Sequence, residues 1–391
     1  MTFSDATIGP QRRRLLAGSG YLLATSWMQP GMAQPLLASQ SSGSDVPRTL
    51  APRTLRFPRD HGTHNDTRTE WWYLTGHAQT AGGRAFGFQV TFFRSRVEVA
   101  QPLKSRLAAR QLLFAHAAIT DVAGQQLLRD QRIARWNGEL PLQLERGVFA
   151  SEVDLQVVLR DWSLQREADG SYRAEVQGDQ IGLSLRAAPT QALLLQGDQG
   201  FSRKGPDPSQ ASFYVTHPQL AVQGALSLRG QRLQVTGQAW LDHEWSEALL
   251  HPEAVGWDWI GMNLANGDSL TAFELRRQDG RALWAGGSYR GRAAATDPLG
   301  AQSFSPEAVR FEPQRAWTSP LTRASYPVEW RVRTPRGTFT VKALLDAQEL
   351  DSRQSTGTVY WEGLSDLLDD SGQRIGRGYL EMTGYAQRLV L

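Results

Sequence analysis

Two runs and the turn between them decide the fold: Glu70-Trp-Trp-Tyr-Leu-Thr-Gly-His77, then Gly82-Gly83, then Phe86-Gly-Phe-Gln-Val-Thr-Phe-Phe-Arg94. Both runs are rich in aromatic and β-branched residues, and a glycine pair is a hairpin signal. On a strand, Glu70, Trp72 and Leu74 share one face, while Trp71 and Tyr73 share the other. A carboxylate on the same face as Trp and Leu needs a partner or a role. Arg94, at the end of the following strand, is available as that partner.

The same period of two recurs at 153–160, 212–216, 233–240, 269–276, 328–332, 338–344 and 378–385. Turn pairs punctuate these runs at Asn266-Gly267, Asp279-Gly280 and Ser371-Gly372. Many short strands predict an all-β chain of antiparallel barrels or sandwiches. The stretch 101–113 is the one that reads as helix.

A faint repeat divides the chain. Trp72-Tyr-Leu-Thr-Gly, a glycine turn and Phe88 to Arg94 resemble Trp259-Ile-Gly-Met-Asn, Asn266-Gly267 and Leu270 to Arg276. Likewise Gly237 to Trp245 resembles Gly376 to Gly384, with Met382 standing where His243 does. We expect a flexible linker at 34–56, an N-terminal barrel domain at 57–248 and a C-terminal one at 249–391, since Pro252 interrupts any strand near the boundary.

At 391 residues the chain has room for two cores. The formal net charge is only +3, and Arg12, Arg13 and Arg14 supply most of it. No basic run interleaved with aromatics follows, which argues against nucleic acid as a partner. With no cysteine, disulfides and thiolate chemistry are excluded. The thirteen tryptophans are the outlier, and they suit strand cores or the wall of an apolar pocket.

Residues 1–33 read as a twin-arginine signal peptide. Arg12-Arg13-Arg14-Leu15-Leu16 is followed by a modestly apolar stretch and by small residues at Gly31 and Ala33. The expected location is periplasmic or secreted.

Candidate chemistry gathers in two clusters. In the first, His61 and His64 stand three apart near Asp66, which suits either a metal site or a turn leading into a strand. The second is Leu241-Asp-His-Glu-Trp-Ser246, followed by Gly256-Trp-Asp-Trp-Ile-Gly261. Alternation turns His243 and Trp245 inward with Leu241, and Asp242 and Glu244 the other way. The Trp257-Asp258-Trp259 triplet marks either a site or a clasp between domains. Nucleophile elbows, phosphate loops and dinucleotide fingerprints are missing from the sequence, which disfavours common hydrolases and nucleotide-dependent oxidoreductases.

Asp60-His-Gly-x-His64, Thr69-Glu-Trp-Trp-Tyr73, Thr91-Phe-Phe-Arg94, Ala115-His-Ala-Ala-Ile-Thr-Asp121, Asp242-His-Glu-Trp-Ser246, Gly256-Trp-Asp-Trp-Ile-Gly261 and Gly378-Tyr-Leu-Glu-Met-Thr-Gly384 together carry a resemblance. The chain resembles the carotenoid 1,2-hydratase (hydroxyneurosporene synthase) and AttH-like family of secreted, two-domain lipocalin-like proteins. That resemblance implies two tandem lipocalin-like barrels and water addition to a C=C bond of an apolar isoprenoid, without cofactor or metal. Asp258 is then expected to be the proton donor, with His243 and Trp245 handling water. Glu70, Trp71, Trp72, Tyr73, Arg94, Trp257 and Trp259 are the expected ligand-binding set, in the first barrel or at the junction. The same family implies, as an alternative, a lipocalin-like carrier of a hydrophobic small molecule for ABC transporter components. A secreted hydrolase is a third reading, and no activated nucleophile supports it.

Overall fold

In the computed structural model, the described residues are 49–141, 147–248 and 250–389. The expected signal peptide and the first part of the expected linker lie outside them. Among the described residues the strands form one sheet of 13 and one of 10, every ladder antiparallel. The first sheet is a nearly closed barrel, and the second sheet follows it in the chain. The change of sheet falls between strands Gln231–Ser246 and Ala254–Leu264.

Period-two sequence produces this architecture directly. In the first sheet Trp72, Leu74, Phe88, Val90, Phe92 and Leu241 alternate into one core. In the second, Ile260, Met262, Leu270, Ala272 and Leu380 do the same. A third apolar cluster draws on the outer faces of both sheets, with Tyr73 and Trp240 from the first meeting Trp259, Phe273 and Leu275 from the second. Trp259 lies edge-on to Tyr73, with ring centroids 5.5 Å apart.

At one place the two sheets are pinned through backbone groups. Gln219 donates from its backbone N–H to Asn263 Oδ1 and from its side-chain amide to the carbonyls of Leu264 and Asp268. Asn263 in turn donates to the Ala239 carbonyl. These bonds satisfy polar groups that would otherwise be buried without partners.

Three sequence expectations need adjustment. The helix expected over 101–113 is absent: turns occupy its first part, and strand Gln111–Asp121 begins within it. Pro102 removes a helical donor, and Leu113, Ala115, Ala117 and Ile119 enter the core at a period of two, which only a strand provides. The expected linker is anchored in its described part, where Leu55 packs beside Trp245 and Arg53 pairs with Asp60. The repeat, finally, is displaced by one residue in its first strand. With Arg94 matched to Arg276, the register partner of Phe92 is Trp72 and that of Glu274 is Asp258. Trp72 therefore corresponds to Asp258, Trp71 to Trp257 and Tyr73 to Trp259. A slip of one residue exchanges the faces of a strand.

Candidate active site

The two faces of the Thr69–Gln79 and Gln231–Ser246 pair carry two different acid clusters. On the inner face, Glu70 is completely buried. Arg94 Nε donates to its Oε2 at 2.9 Å, His243 Nε2 lies 2.9 Å from its Oε1, and Thr63 and the His64 backbone also donate to it. His64 Nδ1 reaches the same Oε1 at 2.8 Å, and its Nε2 reaches Asp60 at 3.0 Å. The rings are stacked, His243 on Trp72 at 4.9 Å and His64 on Trp245 at 3.8 Å.

Burial opposes ionisation of Glu70, but Arg94, His243 and His64 outweigh it and hold the carboxyl well below its usual range. Burial likewise opposes charge on His64, and the bonds to Asp60 and Glu70 overcome it and raise its pKa. His243 goes the other way, lowered by burial. His64, Glu70 and His243 bring three potential ligand atoms within 4.8 Å of one another. That carboxylate is already held by the Arg94 guanidinium and by both imidazoles, and His64 uses its second nitrogen on Asp60, so only His243 Nδ1 is left without a partner in the cluster, among the described residues. His61, the other half of the spacing noted in the sequence, packs on Phe57 instead and lends its carbonyl to the Trp72 indole.

On the outer face the two sheets enclose a cavity of about 340 Å³. Its apolar wall includes Trp71, Tyr73, Phe93, Trp257, Trp259 and Phe273, drawn from both sheets. Five acids border it: Glu70, Asp242 and Glu244 from the first sheet, Glu362 and Glu381 from the second. Tyr214 and Thr216 donate to Asp242 at 2.7 and 2.6 Å, yet burial pushes its pKa up to about 7. Glu381 accepts from the Trp257 indole at 3.0 Å and is also pushed by burial to about 7. Glu362 is raised well above the carboxylate range by burial and then by the neighbouring Glu381. It is register partner to Glu381 across the ladder; its Oε2 accepts from Gln89 at 3.0 Å, its Oε1 makes no hydrogen bond of normal geometry among the described residues, and the nearby Tyr73 and Tyr360 hydroxyls offset only part of the rise. Glu244 faces Lys204 at 3.0 Å, and that ammonium also lies over the rings of Tyr214 and Phe273. His116, lowered to about 3 by burial, bridges the sheets through Tyr360 Oη and Ser355 Oγ, both at 2.8 Å.

Of the residues singled out in the sequence, Trp71, Tyr73, Trp257 and Trp259 line this cavity with their side chains. Trp72, His243 and Trp245 turn into the first sheet, while Glu70 and Arg94 border the cavity but make their side-chain bonds inside that sheet. Asp258 turns into the second, where Arg276 binds it at 2.6 Å and Tyr385 at 3.0 Å, so it does not lie between its two tryptophans. Strand alternation forces that separation. Alternation in the sequence already sets Asp242 and Glu244 on the face opposite His243, but none of the cavity acids Asp242, Glu244, Glu362 and Glu381 is among the expected site residues, although Glu381 sits in the quoted Gly378 to Gly384 motif. Glu362, in Tyr360-Trp361-Glu362, repeats the acid-among-aromatics pattern of Glu70.

The chain is similar to proteins of known structure. A solved structure from Nitrosomonas europaea, provisionally called AttH, is 43% identical, covering 86% of this chain and 99% of its own, with a TM-score of 0.77. Kievitone hydratase from Nectria haematococca superposes with a TM-score of 0.62 over 89% of this chain and 97% of its own; at 13% identity that likeness is one of fold. No curated protein sequence matches. The AttH-like family matches residues 48–385, nearly the whole described chain, and the chain belongs to that family.

Proposed function

We propose that the cavity between the sheets is the active site of a cofactor-independent hydratase acting on the alkene of an apolar, isoprenoid-type molecule. The observation that carries this reading is Glu362: a buried carboxyl, raised well above its usual pKa, with one oxygen making no hydrogen bond of normal geometry inside an aromatic wall. A carboxylic acid kept neutral by apolar surroundings is what protonation of an unactivated alkene requires. In the step we envisage, the Glu362 O–H bond breaks and its proton forms a C–H bond with the less substituted alkene carbon. The cationic carbon left behind faces Trp71, Trp257 and Trp259, whose ring faces stabilise positive charge by roughly 1–2 kcal/mol each when desolvated. Water then forms the C–O bond and gives its proton to Glu381, whose pKa of about 7 suits a base at neutral pH. Transfer from Glu381 back to its neighbour Glu362 closes the cycle, and the net change is addition of one water. The cavity is at the small end of ligand sites, so it suits a compact isoprenoid or the reacting end of a long one such as an acyclic carotene.

The test incubates the chain with acyclic isoprenoid alkenes, carotenes included, and seeks product heavier by one water. Product from wild type and none from Glu362→Gln, with tryptophan quenching by ligand retained in both, supports the reading. Tight quenching without product from wild type overturns it in favour of the second reading, a periplasmic carrier of a hydrophobic ligand for an ABC transporter. The largely apolar wall supports that alternative, and the twin-arginine motif supports export under either.

A further inference from the structure

The hairpin formed by strands Ala85–Arg96 and Gln111–Asp121 supplies Phe93, Ser95, Leu112 and Phe114 to the cavity wall. Its connecting loop, residues 97–110, extends from the last of those rungs and displays apolar side chains to solvent. Val99 is 85% exposed, Leu103 51% and Leu107 69%. The display is not slack. Gln101 bridges the loop's two ends by donating to the carbonyls of Val97 and Arg110, and the Arg110 guanidinium donates to the Leu103 carbonyl. Tight internal bonding that turns three large apolar side chains outward leaves them hydrated unless something covers them.

The intervening charges say what that is. Lys104 and Arg106 are exposed and make no ion pair among the described residues, while the loop's one acid, Glu98, is bound by Arg96. On the adjoining strand Gln126–Trp136, Ile133 is 40% exposed opposite Phe114, and Arg135 is exposed opposite Leu112. Apolar side chains alternating with unpaired cations match an anionic lipid surface, where the former enter the acyl boundary and the latter meet headgroup phosphates.

We propose that the 97–110 loop docks the protein on an anionic phospholipid membrane, so that an apolar ligand passes between bilayer and cavity beside this hairpin. The purpose of such docking rests on the cavity taking an apolar ligand; the docking itself does not depend on turnover. Flotation of the full chain with phosphatidylcholine vesicles, with and without phosphatidylglycerol, tests it. Wild type is expected to float with the anionic vesicles. Serine at all three positions (Val99→Ser, Leu103→Ser, Leu107→Ser), which are exposed and so cost the fold little, is expected to weaken binding about tenfold or more. Lys104→Glu with Arg106→Glu is expected to weaken it by a similar factor and to remove the preference for anionic lipid. Equal flotation of wild type and the serine variant overturns the proposal, as does failure of wild type to bind either vesicle. Concentration-dependent dimerisation in sedimentation that the serine substitutions abolish, without vesicle binding, overturns it in favour of a second copy as the occupant. Failure of hydration with docking intact would sink the proposed reaction and leave the docking standing.

Discussion

Asp242 on the first sheet and Glu381 on the second hold corresponding rungs of the cavity wall, flanked by the corresponding tyrosines Tyr214 and Tyr360. Both acids are pushed by burial to about 7. What differs is the neighbour across the ladder. Asp242 faces Thr216, which donates to it; Glu381 faces Glu362, a second acid that cannot do so while ionised. One half of the wall is thus a satisfied carboxyl and the other a pair of facing carboxyls, in which the charge of Glu381 adds to burial in favouring the neutral form of Glu362. Related strands have been given unlike tasks by one residue, Thr or Glu, at one rung.

The comparison is broken most directly by Glu362→Gln. It is expected to lower hydration by at least about 100-fold, the usual scale for a general acid, while Asp242→Asn costs about tenfold or less. The reverse order would move the proton donor to the first sheet.

A second contrast, between the two faces of one wall, is nearly as large in stability. Glu70→Ala leaves Arg94 and His64 buried without their carboxylate and is expected to cost about 3–5 kcal/mol in urea unfolding, whereas Glu362→Gln, which removes a buried acid, is expected to cost nothing or to stabilise.

The pH dependence separates the same faces. Asp242 and Glu381 have ordinary values of 3.8 and 4.5 and folded values of about 7, so the stability linked to their protonated forms is complete below about pH 4 and is lost as pH rises through 7. Glu70 is depressed, and its contribution is present above 4.5 and lost as pH falls. The double variant Asp242→Asn, Glu381→Gln, which holds both groups neutral, should therefore stand closest to wild type in melting temperature near pH 4 and gain on it as pH rises to 8, without altering the acid side. Smallest of all, Thr216→Val removes one donor to Asp242 and should move its titration, read by carboxyl NMR, upward by about 1 pH unit or less.

The fold was legible because it depends on a local pattern. Alternation placed Trp72 and Leu74 in a core, set Glu70 beside Arg94, and turned His243 and Trp245 inward, as the structure has them. The family was legible from its motifs for the same reason. The cavity was not. It is made where two sheets meet, and its acids come from strands far apart in the chain, such as 242 and 362, whose juxtaposition no local period encodes. Conspicuous residues drew attention to the inner sides of the sheets: Asp258 is bound there by Arg276 and Tyr385, and His243 is bound to Glu70 through Nε2, with its Nδ1 left without a hydrogen bond among the described residues. Their less conspicuous neighbours face the cavity.

Strand Gln231–Ser246 runs through both settings, with His243 and Trp245 on the inner side and Asp242 and Glu244 on the outer. Adjacent codons therefore answer to separate demands, one to the integrity of the barrel and the next to whatever occupies the cavity. A lineage can revise its ligand one substitution at a time while the interior stays untouched. A single inserted or deleted residue in that strand would exchange the two vocabularies at once.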